Sequence, residues 1–192
     1  MHYAIRCPYC GSQNIKNWEQ ERAYVPYTYD WDEERITPEF SCLNCSEIFG
    51  CMADNTDSLP QSHYVAFHFS VGQKSKQMKT IYFEKADSYT DLEIAIPYKD
   101  VAKKARIPLT EWQDIKDDLF NQLFILSWQT DYEERNESEG NYWEMVLGFD
   151  DRHSYEVKGV NAYPVLYERL LELINPYLEE LGFEKESISN NK

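Results

Sequence analysis

The sequence predicts an α+β protein: a small N-terminal β unit followed by a domain of antiparallel hairpins packed with two longer helices. Three observations carry this expectation. Two Cys-x-x-Cys pairs, Cys7/Cys10 and Cys42/Cys45, bracket residues 11–41. Residues 64–71 and 142–149 alternate apolar and polar side chains with the period of two that a half-buried strand requires. Residues 110–125 and 166–181 instead repeat apolar side chains at helical spacing. The chain then divides into a cysteine-stapled unit over 1–52, a polar, turn-rich linker over 53–61, an α+β domain over 62–183 and a polar tail over 184–192.

In the first unit, four thiols in two correctly spaced pairs form a tetrahedral metal set, and thiolate softness favours a single Zn²⁺. Four protein ligands leave no position for a substrate, so the zinc is structural and supplies folding energy to a module too small to stabilise itself. Tyr3 and Ile5 lead into the first cysteine turn, and Ile15 and Trp18 lead away from it. Residues 23–29 alternate as a strand that Pro26 confines to an edge. The acidic run Asp30 to Glu34 makes a solvated loop tip, Phe40 returns the chain to Cys42, and Phe49 is placed to pack beneath the second turn.

Cys-Pro-x-Cys-Gly-Ser followed by Cys-x-x-Cys-x-x-x-Phe resembles a zinc ribbon over residues 1–52. The resemblance implies two knuckles whose backbone N–H groups face the thiolates, with glycine after the second cysteine easing each tight turn. Gly11 keeps that pattern and Ser46 departs from it. The departure also argues against an iron-binding, rubredoxin-like site, where the second pair carries Pro and Gly.

The second domain reads in order. Tyr64–Val71 is a strand with Val65, Phe67 and Phe69 on one face and Tyr64, Ala66 and His68 on the other. Gly72–Lys76 makes a turn, and Met78–Glu84 returns as its hairpin partner. Leu92–Ile96 is a short strand ending at Pro97, and Pro97–Arg106 is expected as a short helix turning Val101, Ala102 and Ala105 inward. Thr110 and Gln113 form a capping-box pattern, opening a helix from 110 to 125 on the stripe Trp112, Ile115, Leu119, Leu123 and Leu126. Asp131–Asn141, with four glutamates, is expected as a solvated loop. Tyr142–Phe149 turns Trp143, Met145, Leu147 and Phe149 to one face, and Tyr155–Lys158 returns antiparallel. The last helix carries Leu166, Leu170, Leu171, Ile174, Leu178 and Leu181, with Pro176 expected to kink or break it and Gly182 to stop it. Residues 143–183 are similar to small uncharacterised bacterial and phage proteins, a resemblance that carries no activity with it.

Charge narrows the function. The formal net charge is −15, and residues 107–192 hold 19 acidic against 7 basic side chains. Such a field repels phosphate backbones. Only residues 73–106 are net basic, and Lys74, Lys76, Lys79, Lys99, Lys103, Lys104 and Arg106 there are expected to meet the acidic remainder, within the molecule or between copies. With no signal-like leader and no run of 18 apolar residues, the chain is expected to be cytoplasmic, away from membranes, where thiols stay reduced.

Gly-rich phosphate loops, a Gly-x-Ser-x-Gly elbow and a His-Glu-x-x-His helix are absent from the sequence. Cys51 reads as a small buried hydrophobe, with His63 and His68 the only nearby bases, and those two fall on opposite strand faces. Residues 11–41 carry 7 acidic and 3 basic side chains around Tyr24, Tyr27, Tyr29 and Trp31. That acidic, aromatic tip is the expected contact for a partner protein with a basic surface, in an adaptor or inhibitor role. A nucleic-acid role in transcription, replication or a mobile element is what a zinc ribbon alone implies, and the charge opposes it. An enzyme site assembled from scattered residues of the second domain is a third class.

Overall fold

A computed structural model describes residues 4–17, 40–50, 64–73, 78–133, 140–150 and 154–188. Among these it is mixed α+β, with a three-stranded sheet, a seven-stranded sheet and two α-helices of more than one turn.

The small sheet joins β1 (Ile15–Asn17), β2 (Phe40–Cys42) and β3 (Ile48–Phe49) in that order, all antiparallel. The large sheet grows from the meander β4 (Tyr64–Gln73), β5 (Lys79–Lys85), β6 (Thr90–Ile96) and β7 (Val101–Ile107). On the other side of β4 it adds β9 (Asn141–Phe149), then β10 (Ser154–Val160), and finally β8 (Asp131–Glu133), which lies parallel to β10. The order is β7-β6-β5-β4-β9-β10-β8. Phenylalanine, isoleucine and valine at alternate positions make one face a continuous apolar surface, including Phe67, Phe69, Ile81, Phe83, Leu92, Ile94, Met145 and Leu147.

Onto that face pack α1 (Leu109–Asp117) and α2 (Tyr167–Glu180). Trp112 of α1 stacks on Tyr64 with ring centroids 4.8 Å apart, and Tyr177 of α2 meets Phe83 edge-on at 5.0 Å. Trp143 lies against Tyr167 at 4.9 Å and donates its indole N–H to the Ala162 carbonyl at 2.9 Å. Gly159 makes room for it, because a Cβ there would fall 2.4 Å from that same nitrogen.

Several sequence expectations change. Residues 97–106 are not a helix: Pro97–Lys99 is a single 3₁₀ turn, Asp100 takes a left-handed φ of 53°, and β7 runs on to Ile107. Its Ala- and Lys-rich sequence suits a helix, but full pairing of Val101–Ile107 with β6 overrides that weak local preference. Tyr64 shares the buried face with Phe67 rather than opposing it, because a bulge between Tyr64 and Ala66 inserts Val65 and flips the alternation. Thr110 does not cap α1. Pro108, in extended conformation, is the N-cap, and its carbonyl accepts from the Glu111 and Trp112 N–H groups. That helix also ends earlier than expected, passing at Asp118–Gln122 into a π-helical turn. Asp131–Glu133, expected as loop, is an edge strand.

Pro176 sits inside a continuous α2, and Gly182 closes it at φ 71° with Phe183 N–H bonded to the Leu178 carbonyl. Beyond it, residues 184–188 are tied back to the body. Asn175 donates to the Glu186 carbonyl at 3.0 Å and accepts the Glu186 N–H at 2.8 Å, while Lys79 pairs with the Glu186 carboxylate at 2.5 Å. The basic side chains of β7 are also engaged. Lys104 meets Glu93 at 2.8 Å, Arg106 meets Asp91 at 3.4 Å and lies over the Tyr89 ring, and Lys103 donates to the Leu181 carbonyl at the end of α2. No helix among the described residues is long and apolar enough to cross a membrane.

Candidate metal centre

The two cysteine turns are built alike, one bond for one bond. In the first, Gly11 N–H donates to the Cys7 carbonyl at 2.8 Å and Cys7 N–H to the Ser12 carbonyl at 2.9 Å. In the second, Ser46 N–H donates to the Cys42 carbonyl and Cys42 N–H to the Glu47 carbonyl, both at 2.9 Å. Each turn needs a left-handed residue after its second cysteine, and Gly11 (φ 73°) and Ser46 (φ 65°) supply it. Serine has a Cβ to accommodate there, so the second turn carries strain of about 1 kcal/mol that the first lacks.

Antiparallel pairing of β1 with β2, in the register Ile15↔Cys42, brings the turns together. Asn14 fixes them further, its carbonyl accepting the Leu43 N–H at 2.9 Å and its side-chain amide donating to Asn44 at 3.1 Å. As a result the Sγ atoms of Cys7, Cys10, Cys42 and Cys45 all lie within 4.8 Å of one another. Across the two turns, Cys7 and Cys45 sulfurs are 3.6 Å apart and those of Cys10 and Cys42 are 3.5 Å apart. Those separations exceed a disulfide bond of about 2.05 Å. They match the edge of about 3.8 Å of a tetrahedron with metal–sulfur bonds of about 2.3 Å. The four cysteines can therefore hold one metal ion.

Burial and backbone dipoles act on the thiols in opposite directions. Burial raises the Cys7 thiol to about 12, against the lowering pull of the Tyr9 and Cys10 N–H groups. At Cys42 burial also raises the pKa, but the Cys45 and Asn44 N–H groups and the neighbouring thiols together bring it down to about 6. At Cys45 the Glu47 N–H is the largest single influence and lowers the pKa, but burial and the Cys42 and Cys10 thiols together raise it. Among Cys7, Cys42 and Cys45, Cys42 is thus the thiol most easily ionised.

Beneath the sulfurs, Phe40 and Phe49 stack at 5.5 Å and form a small core with Cys7 and Cys42. The third ring of that core comes from far along the chain, just after the π-helical turn that follows α1. Phe124, 2% exposed, meets Phe49 edge-on at 4.9 Å and Phe40 at 5.6 Å. It projects from the point where the π-helical turn ends, with φ 49° and ψ 47°, a left-handed conformation that costs a bulky residue about 1–2 kcal/mol. Burying the ring, at about 1.5–3 kcal/mol, offsets that cost. A Cβ at Gly11 would come within 3.1 Å of Val165, so the first turn also abuts the segment just before α2.

Sequence reasoning placed Cys7, Cys10, Cys42 and Cys45 in one site and Phe49 beneath it, but missed Phe124. The only available signal was that Phe124 continues the apolar run from Leu123 to Leu126 off the helical stripe. His68 is not part of this cluster; its Nε2 lies 3.1 Å from the Ser70 hydroxyl, and burial lowers its pKa. Tyr24, Tyr27, Tyr29 and Trp31, together with Cys51 and His63, lie outside the described residues. No family model matches this chain, and no curated protein or solved structure matches it either.

Proposed function

We propose that this chain is a protein-binding module of adaptor or inhibitor type, built on a zinc ribbon and recognising a partner with a basic surface. The observation that carries the reading is the closed character of the four-cysteine site. All four donors come from the chain, two of the cysteines are buried on an aromatic core, and Phe124, from far along the chain, completes that core. Four soft thiolates in tetrahedral array suit Zn²⁺, and with the coordination shell filled the metal acts as a clasp. The net charge of −15 then sets the partner's sign, favouring association with a cationic protein surface. Tyr24, Tyr27, Tyr29 and Trp31 are the proposed aromatic anchors.

Affinity capture on metal-loaded and chelated protein tests this reading. A cationic protein that is retained by the loaded form and released by salt is the expected outcome. Retention of no protein by either form, together with a nucleic-acid shift at about 50 mM salt, would replace it with the nucleic-acid-associated alternative.

A further inference from the structure

We infer that the groove between α1 with its π-helical turn and α2 is the docking site for an arginine- or lysine-bearing amphipathic segment of the partner protein. The inference deepens the protein-binding reading and rests on it for the existence of a partner. The groove encloses about 300 Å³. Its apolar lining is Ile115 and Leu123, both buried, and the half-buried Leu173, with Pro176 exposed at its edge. Four carboxylates also line it, Glu111, Asp114 and Asp118 from α1 and the π-helical turn and Glu172 from α2, with Asp114 and Glu172 exposed. Arg169 is the one cation among the lining residues, and its guanidinium reaches to the Ala4 carbonyl at 3.4 Å.

The hydrogen-bonding inventory has the same bias. Gln122, from the π-helical turn, lines the groove with its Oε1 buried and without a hydrogen-bond partner. Pro176 has no N–H to offer the Glu172 carbonyl one turn earlier in α2. Glu111 already accepts from the Tyr177 hydroxyl at 2.9 Å, which fixes one carboxylate of the lining. A groove rich in acceptors beside apolar side chains calls for a ligand that carries several N–H donors on an aliphatic stem. Arginine has that form, and lysine has a simpler version of it.

The source is a protein segment rather than a free small cation, because Asp114, Glu172 and Pro176 among the lining residues are exposed to solvent. Small-ligand sites instead enclose most of their ligand. A helix laid along the groove would place leucines against the apolar lining and arginines by the carboxylates.

The test uses the full metal-loaded chain and three probes: a dye-labelled, end-capped peptide of leucine and arginine at helical spacing, the same peptide with glutamate for arginine, and ethylguanidinium. Binding is read by fluorescence anisotropy, with ethylguanidinium as competitor. The arginine peptide is expected to bind and the glutamate peptide is not. The exposed pair Asp114→Asn/Glu172→Gln should weaken binding roughly threefold to twentyfold, the range for losing two solvent-facing ion pairs. A control pair of equal charge change, Asp87→Asn/Glu133→Gln, should change it by less than about twofold at physiological salt, where distant charges are screened.

Equal loss in both pairs, no binding of the arginine peptide, or displacement by ethylguanidinium at the peptide's own concentration would each overturn the proposal. The two levels fail separately. A native partner captured equally well by the Asp114→Asn/Glu172→Gln protein removes the groove and leaves the protein-binding reading. Groove-dependent peptide binding with no native partner removes that reading and leaves the groove.

Discussion

Phe124 packs into the aromatic core beneath the four cysteines, and its substitution separates packing from backbone strain. Phe124→Ala removes a ring that is 2% exposed and in edge-to-face contact with Phe40 and Phe49. Truncating a buried phenylalanine costs about 3–5 kcal/mol. The left-handed φ of 49° is retained by alanine, which has a Cβ, so the strain is not relieved. Phe124→Gly loses the same ring but tolerates that φ, recovering about 1 kcal/mol. The usual order of alanine and glycine is therefore reversed here: wild type is most stable, then Phe124→Gly, then Phe124→Ala. Urea unfolding of the metal-loaded protein, followed by tryptophan fluorescence, measures the order. Alkylation of the four cysteines in a chelator, which should accelerate in both variants, shows whether the site has been uncovered. A loss below about 1 kcal/mol for Phe124→Ala, or alanine more stable than glycine, would refute the assignment of Phe124 as a strained wedge.

Three further outcomes follow from the same geometry. Ser46→Gly should stabilise the metal-loaded fold by about 0.5–1 kcal/mol in urea titration, because glycine accepts the φ of 65° in the second turn, whereas Gly11→Ala should destabilise it, adding both strain and a 3.1 Å approach to Val165. Metal affinity should fall as pH falls: the ion must displace protons from Cys7 and Cys45, whose pKa values are raised, while Cys42, lowered to about 6, stays ionised until that pH is reached. Competition against a chelator of known protonation should show at least about a hundredfold gain in affinity per pH unit between pH 6 and 8, one factor of ten for each of the two protons displaced. Gly159→Ala should cost several kcal/mol, of order 3, in thermal unfolding, since its Cβ would lie 2.4 Å from the Trp143 indole nitrogen and 2.6 Å from the Ala162 carbonyl oxygen.

What could be read in the chain was local or set by spacing. The two CxxC pairs picked out the four cysteines that the fold gathers because each turn is a short unit whose geometry its own residues determine, and the register of β1 and β2 only had to bring them together. The strands around Phe67–Phe69 and Trp143–Leu147 showed their period of two plainly, as did the stripe of α2 its helical one. Failures came where a distant partner decides. Val101–Ile107 has helix-forming residues, and only the ladder to β6 makes it a strand. The inserted Val65 turns Tyr64 inward through pairing with β9, which no window of local sequence contains. The wedge at Phe124 depends on a π-helical turn and on an aromatic pocket contributed by residues far away in the chain. The acidic groove was hidden for the same reason, since its carboxylates come from two helices whose wet faces look ordinary when read one at a time.

Metal content tests the four-cysteine clasp most directly, measured on the full chain after dialysis against metal-free buffer and paired with a titration of reactive thiols. One zinc per chain is predicted, with Cys7, Cys10, Cys42 and Cys45 protected from the thiol reagent until a chelator removes the metal, and with zinc lost in Cys42→Ser. A protein that retains no metal, or one whose four cysteines react freely while it remains folded, would contradict it.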